Sequence, residues 1–270
     1  SELVGLMEGT AAEDPEAEAA RDVLATELAN LARSAATAGD AVQAAEAINV
    51  FAADMYDRLV AADPQANLAL RPTGTAIARR MTRAGAKGAT AEEMIATLHV
   101  TDPASIHRSA NAVDAAADRA STGPNEVTVT NSLWGQDGFA FEQPFLDLLA
   151  TEYGTGLELV DYRTNAEGAR QAINGWVRNE TKDRIPELLA PGVLSADTRL
   201  TLVNAIYLKA KWQSEFAKES TFDVPFTTAA GTTVDVPAMH QTERLAYAEL
   251  PGWRAVRLPG HKINLCIEEM

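Results

Sequence analysis

The sequence predicts an α+β fold in which N-terminal helices pack on a large central β-sheet, with smaller β-sheets after it. Three observations carry this. Arg199–Trp212 (RLTLVNAIYLKAKW) alternates with period two, setting Leu200, Leu202, Asn204, Ile206 and Leu208 on one face. The other face carries Thr201, Val203, Ala205 and Tyr207, so both faces are apolar midway along the strand. Fourteen residues of strand reach ~45 Å, well beyond the usual ~5–6 residues, and such a strand belongs inside a large sheet. Second, Ile173, Trp176 and Val177 fall at i, i+3 and i+4, one apolar helix face that can cover the strand at Val203, Ala205 and Tyr207. Third, short β-rich runs follow Thr221, punctuated by Gly231, Pro237, Pro251-Gly252 and Pro259-Gly260.

Taken in order, residues 1–40 form an acidic, Ala-rich leader, expected to be partly helical or disordered. It holds Glu2, Glu8, Glu13, Asp14, Glu16, Glu18, Asp22, Glu27 and Asp40 against Arg21 and Arg33. Asp40 is placed to cap a helix running to about Ala62, with Ala44, Ile48, Phe51, Met55 and Leu59 as its stripe. Thr90 and Glu93 have capping-box spacing and mark a further helix start. Asp102–Ser121 reads as a polar helix, and Glu126–Gln136 alternates Val127, Val129, Asn131 and Leu133 as a strand of the same sheet. A helix with Phe145, Leu148 and Leu149 inward follows, then a short strand over Leu157–Arg163. Asn204 is the odd member of its strand's core face. A buried amide needs partners for both oxygen and nitrogen, so it predicts a hydrogen-bond cluster beneath the sheet.

Several of these stretches resemble the serpins, inhibitors that trap serine proteases. LVNAIYLKAKW followed by TFDVPF and TTVDVPAMHQ is similar to the third strand of serpin sheet A and the segment after it. Asn67, Pro72, Gly85–Gly88 and Thr90–Met94 match the region of the second and third serpin helices, NSLW (131–134) the neighbouring strand, and Ile173, Asn174, Trp176, Val177, Thr181, Ile185, Leu188 and Leu189 the helix crossing sheet A. The resemblance implies a serpin-like fold whose central sheet is mixed, with 41–270 as the N-terminal portion of the domain and the C-terminal portion missing. It marks Asn131, Asn204 and Trp212 as family structural positions. Serpins act when a protease cleaves an exposed reactive loop, which then inserts into sheet A as a new strand and distorts the protease. No reactive site is present in this chain, which is expected to stop before that loop, not to inhibit by itself, and to expose a sheet edge open to self-association.

One block departs from the family. Arg71 and Gly74 stand where serpins carry two serines, and Arg79, Arg80 and Arg83 interrupt a helix that is otherwise nearly all apolar. An unpaired buried arginine costs several kcal/mol, so Arg71–Arg80 reads as a degenerate or frame-shifted segment.

Chemistry is otherwise sparse. No G-x-S-x-G, Walker loop, G-x-G-x-x-G or H-E-x-x-H occurs. His99, His107, His240 and His261 are scattered, and Cys266, in an apolar run, reads as a buried inert thiol. No enzyme, cofactor or metal site is therefore expected. A net charge of −15 argues against nucleic acid and anionic membranes. Heparin is not expected either, because Asp114 and Asp118 offset Arg108 and Arg119. The resemblance implies a serine protease partner and an extracellular setting, although no signal peptide is visible. The alternative function is a non-inhibitory serpin-like scaffold acting through protein partners or self-association.

Overall fold

The computed structural model describes residues 31–228, 230–251, 253–261 and 264–269. The expectations for most of the leader, residues 1–30, and for the Cys266 thiol fall outside the described residues. The chain forms two compact units. Among the described residues, one takes in 31–56, Leu70–Ala117 and Thr128–Tyr207; the other takes in Asp57–Ala69, Asp118–Val127 and those from Leu208 on.

Helix α1 (Ala38–Ala62), which lies in the first unit as far as Tyr56, opens on a reciprocal cap. Asp40 Oδ2 accepts from Thr37 N (2.9 Å) and Thr37 Oγ1 (2.6 Å), while Thr37 Oγ1 accepts from Asp40 N. The helix therefore starts at Thr37, and Asp40 is the third-position partner of the box, not the cap. Its stripe is buried at Ala44, Ala47 and Ile48 and has left the core by Leu59, 38% exposed. Helix α2 (Pro72–Gly85) has proline in its first turn, where the missing N–H is not needed. Helix α3 (Gly88–Thr97) begins two residues before Thr90, with Lys87 at the cap and no side-chain cap bond, so the predicted Thr90 start is not used. A turn over Pro103–Ser105 leads into α4 (Ile106–Ala120).

Strand β1 covers Glu126–Gln136, as predicted. Helix α5 (Gln143–Tyr153) buries Leu146, Leu149, Ala150 and Tyr153, with Phe145 and Leu148 half-buried at the margin of its inward face. It stops at Gly154 (φ 61°), a left-handed position that suits glycine. Strand β2 is Leu157–Val160 and helix α6 is Tyr162–Glu180. Thr181, Ile185, Leu188 and Leu189 lie beyond α6, in an irregular segment that folds back on it. Strand β3 is Leu200–Lys209, ten residues, shorter than the run to Trp212. Leu208 and Lys209 are exposed, so the alternation continues past the point where burial can support it.

The central sheet has the order β2-β1-β3, with β1 and β2 parallel from Leu133↔Leu157 to Gln136↔Val160. The large sheet expected from strand length is thus three strands among the described residues. One face packs on Ile77 and Met81 of α2 and Leu146, Leu149 and Tyr153 of α5, with Leu200 and Leu202 against them. The other packs Trp134 and Val203 against Tyr162, Ala169, Ile173 and Val177 of α6.

The second unit is built from hairpins. Strands β4 (Thr221–Thr227) and β5 (Thr233–Met239) pair antiparallel, and β6 (Ala246–Leu250), β7 (Trp253–Pro259) and β8 (Asn264–Glu269) form an antiparallel sheet. All five fall within the β-rich runs expected after Thr221.

Candidate functional site

The site is the middle of β3, because there a strand is buried on both faces and still lies at the edge of its sheet. Val203, Asn204 and Ala205 are all buried. Among the described residues β1 flanks β3 on one side and no strand flanks it on the other.

On the α6 face, Ile173 and Val177 are fully enclosed and meet Val203 in one cluster. Burying such a side chain contributes ~1.5–3 kcal/mol. Trp176 meets Trp134 edge-to-face at 6.4 Å. Tyr162, 0% exposed, donates its hydroxyl to Trp134 O (3.2 Å) of β1 and shares a hydrogen bond with the Thr201 hydroxyl (2.9 Å) of β3. Burial raises its pKa, and the Thr201 hydrogen bond opposes the shift. Asn174 accepts from Leu188 N and Leu189 N and donates to Leu189 O, tying the segment after α6 back onto it. Arg170 adds Glu167 (2.7 Å), Glu187 (2.5 Å) and Leu189 O (2.7 Å).

On the opposite face the expected polar cluster is present but incomplete. Asn204 Nδ2 donates to Asn131 Oδ1 at 3.0 Å, and Asn131 Nδ2 donates to Tyr153 O at 3.3 Å. Asn204 Oδ1 is buried and has no hydrogen-bond partner among the described residues. The reason lies in α2. A Cβ on Gly74 would stand 2.5 Å from that oxygen, so glycine leaves room for the amide and offers it no donor. Of the three marked residues, Asn131 and Asn204 thus touch each other. Trp212 belongs to the second unit, where it bridges Gly260 and meets Phe216 edge-to-face at 6.0 Å.

The α2 arginines separate by position. Arg71 and Arg79 are exposed and Arg83 is half-buried, whereas Arg80 is 1% exposed. Arg80 Nε and Nη1 and Arg83 Nε have no hydrogen-bond partner among the described residues. Beside them, His107 Nδ1 meets the Tyr153 hydroxyl at 2.8 Å. Burial, reinforced by the Arg83 and Arg80 charges, pulls the His107 pKa down to about 4. Burial pushes the Tyr153 phenol up. The pairing of His107 with Tyr153, 46 residues apart, has no signal in the sequence; the arginines are visible as interruptions of an apolar helix. No group of three or more His, Cys, Asp or Glu capable of holding a metal occurs among the described residues.

What this arrangement offers chemically is backbone pairing: a long edge, roofed by a helix and centred on polar groups. A family model described as Serpin (serine protease inhibitor) matches residues 46–267. The chain is 33% identical over 211 residues to "Leukocyte elastase inhibitor" of Xenopus laevis, covering 77% of this chain and 56% of that protein. It is 32% identical over 222 residues to the protein of that name in Homo sapiens, covering 80% and 58%. Among solved structures it resembles "Cleaved Serpin 42Da" with a TM-score of 0.77 at 30% identity, covering 86% of this chain and 62% of that one. It shares its fold with emu (Dromaius novaehollandiae) ovalbumin, with a TM-score of 0.76 at 23% identity. The chain thus spans a little over half the length of the curated relatives it matches. The sheet, its roof helix and these matches agree: the chain belongs to the serpin (serine protease inhibitor) family.

Proposed function

We propose that this chain carries the strand-accepting half of a serine protease trap and is not itself a catalyst. The observation that carries this is the open side of β3, beside a strand already buried front and back. An inserted strand there would gain backbone hydrogen bonds along ten residues and cover a polar centre that is short of a donor. The relatives' names point to a leukocyte elastase as the class of target. The extracellular setting rests on the family resemblance alone. We also propose that these 270 residues do not trap a protease by themselves, since no described segment combines an exposed loop with a strand beside β3.

The test is incubation with elastase-, trypsin- and subtilisin-like proteases, read by denaturing electrophoresis. The chain alone is expected to be digested without a covalent complex, and a chimera that adds the C-terminal portion of a serpin relative to give an SDS-stable complex. A stable complex from the chain alone refutes its inactivity; digestion of both refutes the trap. The open edge also supports a second role, a non-inhibitory scaffold that self-associates through β3. Concentration-dependent dimers abolished by Ile206→Pro would favour it.

A further inference from the structure

Arg80 presents a physical problem that the strand-accepting role does not solve. A guanidinium that is 1% exposed with Nε and Nη1 unpartnered has lost its hydration and gained no hydrogen bond at those two nitrogens in return. Burial lowers its affinity for its proton, but arginine does not deprotonate in proteins, so the charge stays. Arg83, one turn along the same helix face, adds a second buried Nε without a partner. No carboxylate among the described residues hydrogen-bonds either group, and three acids on α1, α4 and α5 are committed to other partners. Asp40 holds Arg108 and Thr37, Asp114 holds Arg33, and Glu152 accepts from Ser34 Oγ at 2.6 Å. His107 and Tyr153, which complete the cluster, add no negative charge: the imidazole is neutral and the phenol protonated.

We propose that the Arg80–Arg83 pair, beside the His107–Tyr153 contact, binds a small inorganic anion that serves as its counterion. The enclosure of Arg80 selects for size. A monatomic halide accepts several N–H bonds without a fixed geometry, which suits donors arriving from two side chains on one helix. The halide meets the unpartnered N–H groups of Arg80 and Arg83 and neutralises charge that the protein leaves uncompensated.

Chloride is the probe. Thermal and urea unfolding are followed as chloride replaces gluconate, an anion too large to enter, at fixed ionic strength. At ten times its dissociation constant, chloride is expected to raise the folding equilibrium constant about tenfold. Arg80→Met removes the gain and folds readily because it removes a buried charge, while Arg79→Met, at an exposed position, keeps it. No chloride dependence in the wild type, or the same dependence in Arg80→Met, overturns the proposal. In crystals grown with bromide, an anomalous peak against Arg80 Nε is expected, and its absence there overturns the site.

Discussion

Replacing Arg80 by methionine is expected to stabilise the protein. The side chain is 1% exposed on a helix that also buries Ile77 and Met81, and its Nε and Nη1 are buried without partners. Methionine retains most of the apolar volume, adapts to irregular space and is an equally good helix former. Exchanging buried ionic groups for apolar ones of similar size gains ~1–4 kcal/mol even where the charges were paired. An unpaired charge should fall well inside that range, and ~2 kcal/mol is a conservative figure. For a chain of this class each kcal/mol moves Tm by ~2–4 °C, so Arg80→Met should melt ~4–8 °C higher. The assay is thermal unfolding by circular dichroism in chloride-free gluconate buffer, paired with urea titration. The urea midpoint should rise without a change in slope. Arg79→Met, on the exposed face, should stay within ~0.5 kcal/mol of wild type. A Tm for Arg80→Met equal to or below the wild-type value would refute the placement of Arg80 as an uncompensated core cation.

Gly74→Ala puts a methyl 2.5 Å from Asn204 Oδ1 and forces the amide away from Asn131. Gly74→Ser makes the same push but supplies a hydroxyl to the unpartnered oxygen, so it should exceed Gly74→Ala in stability by ~1 kcal/mol in urea titrations. Ile173→Ala opens a cavity where α6 meets Val203 and should cost ~2–5 kcal/mol, read from the same titrations. His107 has its pKa lowered to about 4 in the fold, against ~6.5 when unfolded. The unfolded chain therefore binds the extra proton first, and the contribution is complete above pH ~6.5 and lost as pH falls towards 4. The difference amounts to ~3 kcal/mol over that window, and His107→Phe should flatten that part of the stability–pH curve.

Much of the fold was legible because its signals are local and repetitive. Strand β1 was readable to the residue, since alternation from Val127 to Leu133 ends at a turn. The roof over β3 was legible because Ile173, Trp176 and Val177 define one helix face whatever they pack against. Ends were less legible. Alternation through Trp212 overstates β3, because pattern records which residues could face a core and not where the core stops. Thr90 has the right neighbour for a capping box, yet α3 begins at Gly88. Asp40 was placed correctly near a helix start, and its role depends on Thr37, whose hydroxyl completes the box.

Asn204 shows where sequence reasoning reaches its limit. Its position on a core face demands partners, and Asn131 provides one for the nitrogen. Whether the oxygen is satisfied depends on Gly74, 130 residues away, which no pattern connects to it. The same helix then brings Arg80 into the core six residues later, about 9 Å along the axis. An unsatisfied buried acceptor costs ~1–3 kcal/mol and an unpaired cation several more, a large share of an ordinary ~5–15 kcal/mol margin. Both deficits lie along a single helix, on the side of the sheet away from α6. The two halves of the site are therefore unequal: the α6 face encloses Ile173, Val177 and Val203 and ties Tyr162 to both strands, while the α2 face is short of a hydrogen-bond donor at one point and of negative charge at another. A strand entering beside β3 does not change the count of charges at Arg80, and an anion at Arg80 does not supply a donor to Asn204. The two defects call for different partners, so Gly74→Ser and chloride test them separately.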